Sequence, residues 1–134
     1  MPEIRPFLSA ARELLPGGIS TDQGEREKRS RDYSIYRLLP AAVARPRDDE
    51  ELTRLVALAA EHRVPLTVRG GGSGTGGAAL TSGVVVLLEG AFWNEEPELL
   101  DGGEAVRIRP GTSYTELASI LAPLGRSIPA DPSS

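Results

Sequence analysis

Apolar residues recur along this chain at two spacings, which divide it into helices and strands. Leu52, Leu55, Val56 and Ala59 stand at i, i+3, i+4 and i+7, the stripe of a helix with one buried face. Asp48 precedes Glu51 at capping-box spacing, and Asp49 and Glu50 add negative charge to the first turn, where the helix dipole favours it. This helix is expected to end near Arg63, because Pro65 disfavours helical geometry at Val64. His62 in its last turn is read as a favourable charge near the C-terminal dipole, with a ligand role as the minor alternative. A second stripe, Leu117, Ile120, Leu121 and Leu124, follows a second capping box of Ser113 and Glu116, and Gly125 is its expected cap. A shorter amphipathic helix is expected from Pro6 to Leu15, ended by Gly17-Gly18.

Three runs have strand character. Ala41 to Arg45 is the first, stopped by Pro46, and Leu66 to Arg69 is the second. Val84 to Leu88 is apolar without alternation, as expected of a strand buried on both faces. Strand, helix and strand in this order make a βαβ unit, with a right-handed crossover expected. Further on, Glu98 to Leu100 and Ala105 to Arg109 can pair as a hairpin through Asp101-Gly102-Gly103, with Phe92 and Trp93 covering the core from a loop. Ser20 to Arg37 is dense in charge and is read as a solvated loop, with Tyr33, Ile35 and Tyr36 restoring apolar weight near its end. Ile128 to Ser134 is an extended strip. The expected fold class is α+β: a small mixed β-sheet with helices packed on one side.

One stretch serves neither period. After Arg69, six of the next eight residues are glycine, in Gly70-Gly71-Gly72-Ser73-Gly74-Thr75-Gly76-Gly77, followed by Ala78-Ala79. Each glycine costs backbone entropy on folding and gives in return positive φ or close approach of another surface. Successive backbone N–H groups in such a loop form a concave nest, and the common guest of a nest is phosphate. The bland alternative is a flexible linker. A plain linker is polar on both sides, whereas this loop lies between two strand-like runs.

Composition narrows the chemistry. The 134 residues suit one domain with a modest core, and 15 Lys plus Arg against 19 Asp plus Glu give a formal charge of −4. A nucleic-acid partner calls for a basic face, so none is expected, and phosphate recognition has to be local. The chain has no cysteine and one histidine, which excludes thiolate chemistry and argues against a histidine-held metal. The start is charged and broken by Pro2 and Pro6, and the longest apolar run falls far short of the roughly 20 residues a membrane helix needs. No transmembrane segment and a cytoplasmic location are expected.

Phosphate loops come in several kinds. A P-loop ends in Lys followed by Ser or Thr, but Gly77 is followed by Ala78 and Ala79. Gly72 to Gly77 fits G-x-G-x-x-G, and Glu89 imitates the ribose-binding acid of a nicotinamide-binding Rossmann enzyme. Rossmann glycines open a helix, however, and only six residues separate Gly77 from Val84. The Rossmann match is therefore read as accidental and kept as a rival that a helix directly after Gly77 would revive.

A loop between two strands is the remaining kind, and here the chain resembles the flavin-dependent oxidases and dehydrogenases with the vanillyl-alcohol-oxidase (PCMH) type of FAD-binding domain. The similarity is greatest to the D-lactate dehydrogenase and glycolate oxidase branch. The patches that carry it are Asp32-Tyr33-Ser34-Ile35-Tyr36-Arg37 with Pro40 and Ala42-Val43; Pro46 with the helix from Asp49 to His62; Val64 to Arg69 with the glycine loop; and Val106 to Gly111 through Leu124-Gly125 to Pro129-Ala130-Asp131-Pro132-Ser133-Ser134. The resemblance implies that Arg69, Gly70, Gly71, Gly72, Ser73 and Gly74 wrap the FAD pyrophosphate and that Gly77 and Ala78 close over the ribityl side. It implies that Asp131, Pro132 and Ser133 begin a second flavin-contacting segment. Arg69 has two open roles, as charge partner of phosphate or as a tie for the strand end. Ser73 stands where some relatives carry a histidine bonded to the flavin, which implies non-covalent FAD. Where the family usually has Asp-x-Ser after the third strand, this chain has Leu88-Glu89-Gly90.

The implied organisation is an N-terminal helix and charged loop (1–31) followed by the first half of an FAD domain (32–134). The rest of the FAD domain and a substrate domain, or a partner chain, would complete it. The implied activity of the whole is oxidation of a 2-hydroxy acid by hydride transfer to flavin, with no catalytic residue assigned within these residues. The rival from another class is a non-catalytic nucleotide-binding half-domain completed by a partner or by dimerisation.

Overall fold

A computed structural model describes residues 4–129. Its first compact unit is Met1–Glu89, its second Gly90–Ser134. Compactness thus divides the chain at a different place from the boundary in sequence character at Arg31 and Asp32.

The first unit is built on β4 (Val84–Leu87), whose four residues are all buried. It pairs in parallel with β2 (Ala42–Ala44) on one side and β3 (Leu66–Arg69) on the other, and β1 (Ile19–Ser20) adds antiparallel to β2. The uninterrupted valines of β4 are explained by this central place, since no side chain of the strand meets water. One face of the sheet, with Ala42, Ala44, Val84 and Val86, carries α1 (Ile4–Leu14) and α3 (Asp49–Glu61), through Phe7, Ala11, Leu15, Leu55 and Ala59. The opposite face carries Val43, Val85 and Leu87. The mixed sheet with helices on one face is as expected. The strand order adds something that periodicity does not contain: β4 lies between the two strands that α3 connects.

The helix ends follow from named residues. The Asp48 carboxylate accepts from the Glu51 amide at 2.8 Å, while Glu51 reaches one residue past the cap, to the Arg47 amide at 2.7 Å. The helix stops at Glu61, with Arg63 at φ 53 and amide bonds from Arg63 to Ala60 O and from Val64 to Ala59 O. This is a Schellman ending with arginine where glycine is usual. His62 lies edge-on to Phe7, with ring centroids 6.2 Å apart.

The charged stretch after Ser20 is a correction to the sequence reading of a solvated loop. Its first part is β1, and the next is a short helix, α2 (Gln23–Lys28), capped by Asp22, whose carboxylate accepts from the Glu25 amide. Glu25 pairs with Arg45 at 2.6 Å, and Arg45 also holds Glu89 at 3.2 Å. The charges there connect α2 to the ends of β2 and β4 rather than facing only water.

The second unit holds an antiparallel hairpin of β5 (Glu98–Leu100) and β6 (Ala105–Arg107). Its turn places Asp101, Gly102 and Gly103 at positive φ. β6 ends at Arg107, before the Arg109 expected, and Arg109 instead lies 4.3 Å from the centre of the Phe92 ring and 3.0 Å from Glu95. Trp93 is buried in a short 3₁₀ turn. Ser113 caps α4 (Tyr114–Leu121), which buries Leu117 and Leu121 and continues as a 3₁₀ turn to Leu124. Gly125 at φ 66 closes it, as expected.

Candidate functional site

The loop joining β3 to β4 contains no helix or strand between Gly70 and Gly83. The Rossmann alternative fails there, because no helix opens after Gly77 to face a pyrophosphate. Its supposed ribose acid is also committed elsewhere, since Glu89 is held by Arg45 at 3.2 Å and faces Arg29 at 4.0 Å.

Among the described residues, the amides of Gly71 through Gly77 donate no hydrogen bond to the protein. The loop is anchored by other groups. Gly74 O accepts from the Tyr33 amide at 3.1 Å, and Gly77 O accepts from the Leu80 amide at 3.1 Å. Seven consecutive N–H groups in an anchored loop are thus left without a protein acceptor among the described residues, and an anion nest is built from donors of this kind.

The glycines fall into two groups. A Cβ on Gly72, at φ 69, would lie 2.1 Å from the Arg69 guanidinium, and one on Gly77, at φ 80, would lie 3.1 Å from the Tyr36 ring. One on Gly83 would lie 2.1 Å from Pro65 O. Gly70, Gly71, Gly74 and Gly76 have nothing within 4 Å of that position and no positive φ. The fold itself requires the first group. The second leaves the space beside the loop backbone open.

Arg69 turns inward. Its Nη1 donates to Arg29 O at 3.3 Å and its Nη2 to Arg31 O at 2.9 Å, and the guanidinium lies beneath Gly72. Burial lowers its pKa, the Arg29 charge adds to that, and Asp32 opposes it. Of its two open roles, this geometry is that of a tie at the strand end. Ser73 is half-buried and Ala78 is exposed on the turn after Gly77. Asp131, Pro132 and Ser133 lie outside the described residues.

Sequence reasoning left several neighbours of the loop out of the site. Residues 30 to 38 form a closed loop of their own, with a bridge between Arg31 and Arg37 and a 2.9 Å bond from the Leu38 amide to Ser30 O. Inside it, Asp32 accepts from the Ser34 amide at 2.9 Å and Ser34 Oγ accepts from the Tyr36 amide at 3.1 Å. Hydrogen bonding from the Ser34 side chain holds the Asp32 carboxyl below its ordinary pKa. A cavity of about 300 Å³ lies where this loop meets the glycines, lined by Tyr36, Arg37, Leu38, Gly76, Gly77 and Leu80. The sequence signal for it is the return of aromatic residues at Tyr33 and Tyr36, which apolar patterning alone does not assign to a site.

The fold and the loop together define a class: an α+β unit that offers a row of backbone amides at the end of a parallel strand, the arrangement of a phosphate-binding module. The chain belongs to the FAD binding domain family, whose model matches residues 40–134. It is 39% identical over 123 residues to D-2-hydroxyglutarate dehydrogenase of Pseudomonas putida, covering 89% of this chain and 12% of that protein. It is 33% identical over 129 residues to glycolate oxidase subunit GlcD of Escherichia coli, covering 95% of this chain and 26% of that one. Among solved structures it resembles alkyldihydroxyacetonephosphate synthase, with a TM-score of 0.78 at 23% identity over 96% of this chain and 26% of that one. It also resembles p-cresol methylhydroxylase, with a TM-score of 0.75 at 16% identity over 93% and 25%. At these identities the structural likenesses show the fold.

FAD is the cofactor of this family, and the loop fits a phosphate of that group by its free amides and four open glycine positions. Among the described residues no helix is long and apolar enough to cross a membrane, and no cluster of His, Asp or Glu could hold a metal ion.

Proposed function

We propose that residues 32–134 form the pyrophosphate-cradling part of a non-covalent FAD site in a cytoplasmic oxidoreductase acting on a 2-hydroxy acid of the D-lactate or glycolate type. The observation that carries the cradle is the pairing of seven unbonded amides with four glycines that nothing in the fold requires. The substrate class is supported by the two relatives named above, of which this chain spans 12% and 26%. Bound FAD supplies a hydride acceptor, the flavin N5.

The residues of this chain bind and orient. Gly71 through Gly77 present N–H donors to the phosphates, and Arg69 holds the strand end from beneath Gly72. Ser73 contributes a hydroxyl but no nucleophilic nitrogen, in keeping with non-covalent attachment. Asp131, Pro132 and Ser133 are assigned to the second contact segment by the resemblance alone. No residue of this chain is given a catalytic role. The rest of the FAD domain and a substrate domain, or a partner chain, complete the enzyme.

Titration of the purified chain with FAD, followed by flavin fluorescence, tests the cradle. Saturable binding that ADP displaces and adenosine does not is expected, because the phosphates make the contacts. Absence of saturable binding, or equal displacement by adenosine, would contradict it.

A further inference from the structure

A nest of backbone amides carries only partial charge, and this chain is acidic overall, at −4. A dianionic pyrophosphate beside such a nest calls for a local cation. Arg69, the arginine nearest in sequence, spends its Nη donors on two backbone carbonyls. Arg29 faces Glu89, and Arg45 is paired with Glu25 and Glu89.

Arg37 differs from these in lining the cavity beside the glycines, Gly76 and Gly77. Its one hydrogen bond among the described residues runs from Nε to Ser30 Oγ at 3.4 Å. Its two Nη groups have no partner among those residues. Its backbone is fixed by the bridge to Arg31 and, one residue on, by the bond from Leu38 to Ser30. The same loop is fastened to the glycines by the bond from the Tyr33 amide to Gly74 O and by the contact of Tyr36 with Gly77. A guanidinium with both Nη groups unpartnered among the described residues is therefore carried on an anchored backbone, by a residue that lines the cavity with Gly76 and Gly77.

We propose that Arg37, rather than Arg69, is the side-chain cation that meets the cofactor's phosphate, in the cavity formed by Tyr36, Arg37, Gly76 and Gly77. The assignment rests on the FAD cradle proposed above. Guanidinium suits the task because its planar fork can donate two parallel hydrogen bonds to phosphate oxygens. The Tyr36 ring lines the same cavity, close enough to Gly77 that a Cβ there would lie 3.1 Å from it.

The test compares unsubstituted chain, Arg37→Gln, Arg37→Lys and Arg31→Gln in FAD and ADP titrations at low and high salt, with urea unfolding of each. Arg37→Gln is expected to weaken FAD and ADP by about tenfold, the effect of one lost charge-assisted contact. Arg37→Lys should recover part of that loss, and Arg31→Gln should bind as the unsubstituted chain does. The loss should shrink at high salt, while unfolding midpoints stay together, which a merely structural role for Arg37 would not produce. Binding by Arg37→Gln equal to that of the unsubstituted chain, or a loss confined to Arg31→Gln, overturns the assignment and leaves the cradle standing. Failure of the unsubstituted chain to bind FAD or ADP overturns both.

Discussion

Two stretches of one loop behave oppositely toward their own glycines. From Gly83 into β4 the chain is packed so closely that a Cβ on Gly83 would meet Pro65 O at 2.1 Å. The neighbouring bonds, Ala41 N to Gly83 O at 2.7 Å and Val84 N to Pro65 O at 2.9 Å, hold both strands to that spacing. From Gly70 to Gly76, by contrast, four glycines face open space at ordinary φ. The fold would accept alanine at those four. A residue that costs conformational entropy without any return from the fold is explained by what it leaves room for. The difference separates a glycine that the packing requires from glycines that it does not, within a span of 14 residues, Gly70 to Gly83.

The packed end should give the largest effect. Gly83→Ala forces a methyl group into a backbone carbonyl that cannot move without breaking strand pairing, and about 3 kcal/mol of stability should be lost. Urea unfolding measures it, and a loss below about 1 kcal/mol would mean that the close approach is not fixed. Smaller effects should follow where backbone angle alone decides. Gly125 and Arg63 occupy the same left-handed position after a helix, at φ 66 and φ 53. Gly125→Ala should cost about 1 kcal/mol, and Arg63→Gly should add about 0.5 kcal/mol, each read from unfolding midpoints. Opposite signs at two equivalent positions would sharpen the rule that a positive φ calls for glycine whatever the ligand. Equal signs would break it.

Much of this was legible beforehand because local rules agree with one another. The stripe from Leu52 to Ala59, the cap at Asp48 and the stop before Pro65 define α3 within two residues, although Val56 of the stripe faces solvent and only Leu55 and Ala59 are buried. The unbroken valines of β4 correctly told that the strand has no wet face. What escaped depends on partners distant in sequence. β1 is two residues long, and only pairing of Ile19 with Ala44 and of Ser20 with Val43 makes it a strand. Four of the six residues of α2 are charged and the helix carries no apolar stripe, so its order comes from the Asp22 cap and the Glu25 pair with Arg45. The place of β4 between β2 and β3 is a matter of long-range register.

The site divided in the same way. Glycine density marked the loop between β3 and β4, because it is a property of consecutive residues. The direction of the Arg69 side chain depends on carbonyls about 40 residues earlier, at Arg29 and Arg31. Two roles were open to it in sequence, and the fold places it under the loop. Arg37 stood among the residues that carried the family resemblance, yet nothing local marked it as the arginine with free donors beside Gly76 and Gly77.

The most direct test of the central claim uses two open glycines, with stability and binding measured on the same preparations. Gly71→Ala and Gly74→Ala each place a methyl group where the fold has no atom within 4 Å. Unfolding free energy should stay within about 0.5 kcal/mol of the original or rise slightly, because alanine restricts the unfolded chain. FAD affinity in the same samples should fall at least tenfold, a change of about 1.4 kcal/mol in binding. Unchanged affinity in both variants would contradict the cradle, and a matching loss of stability would return those glycines to the fold.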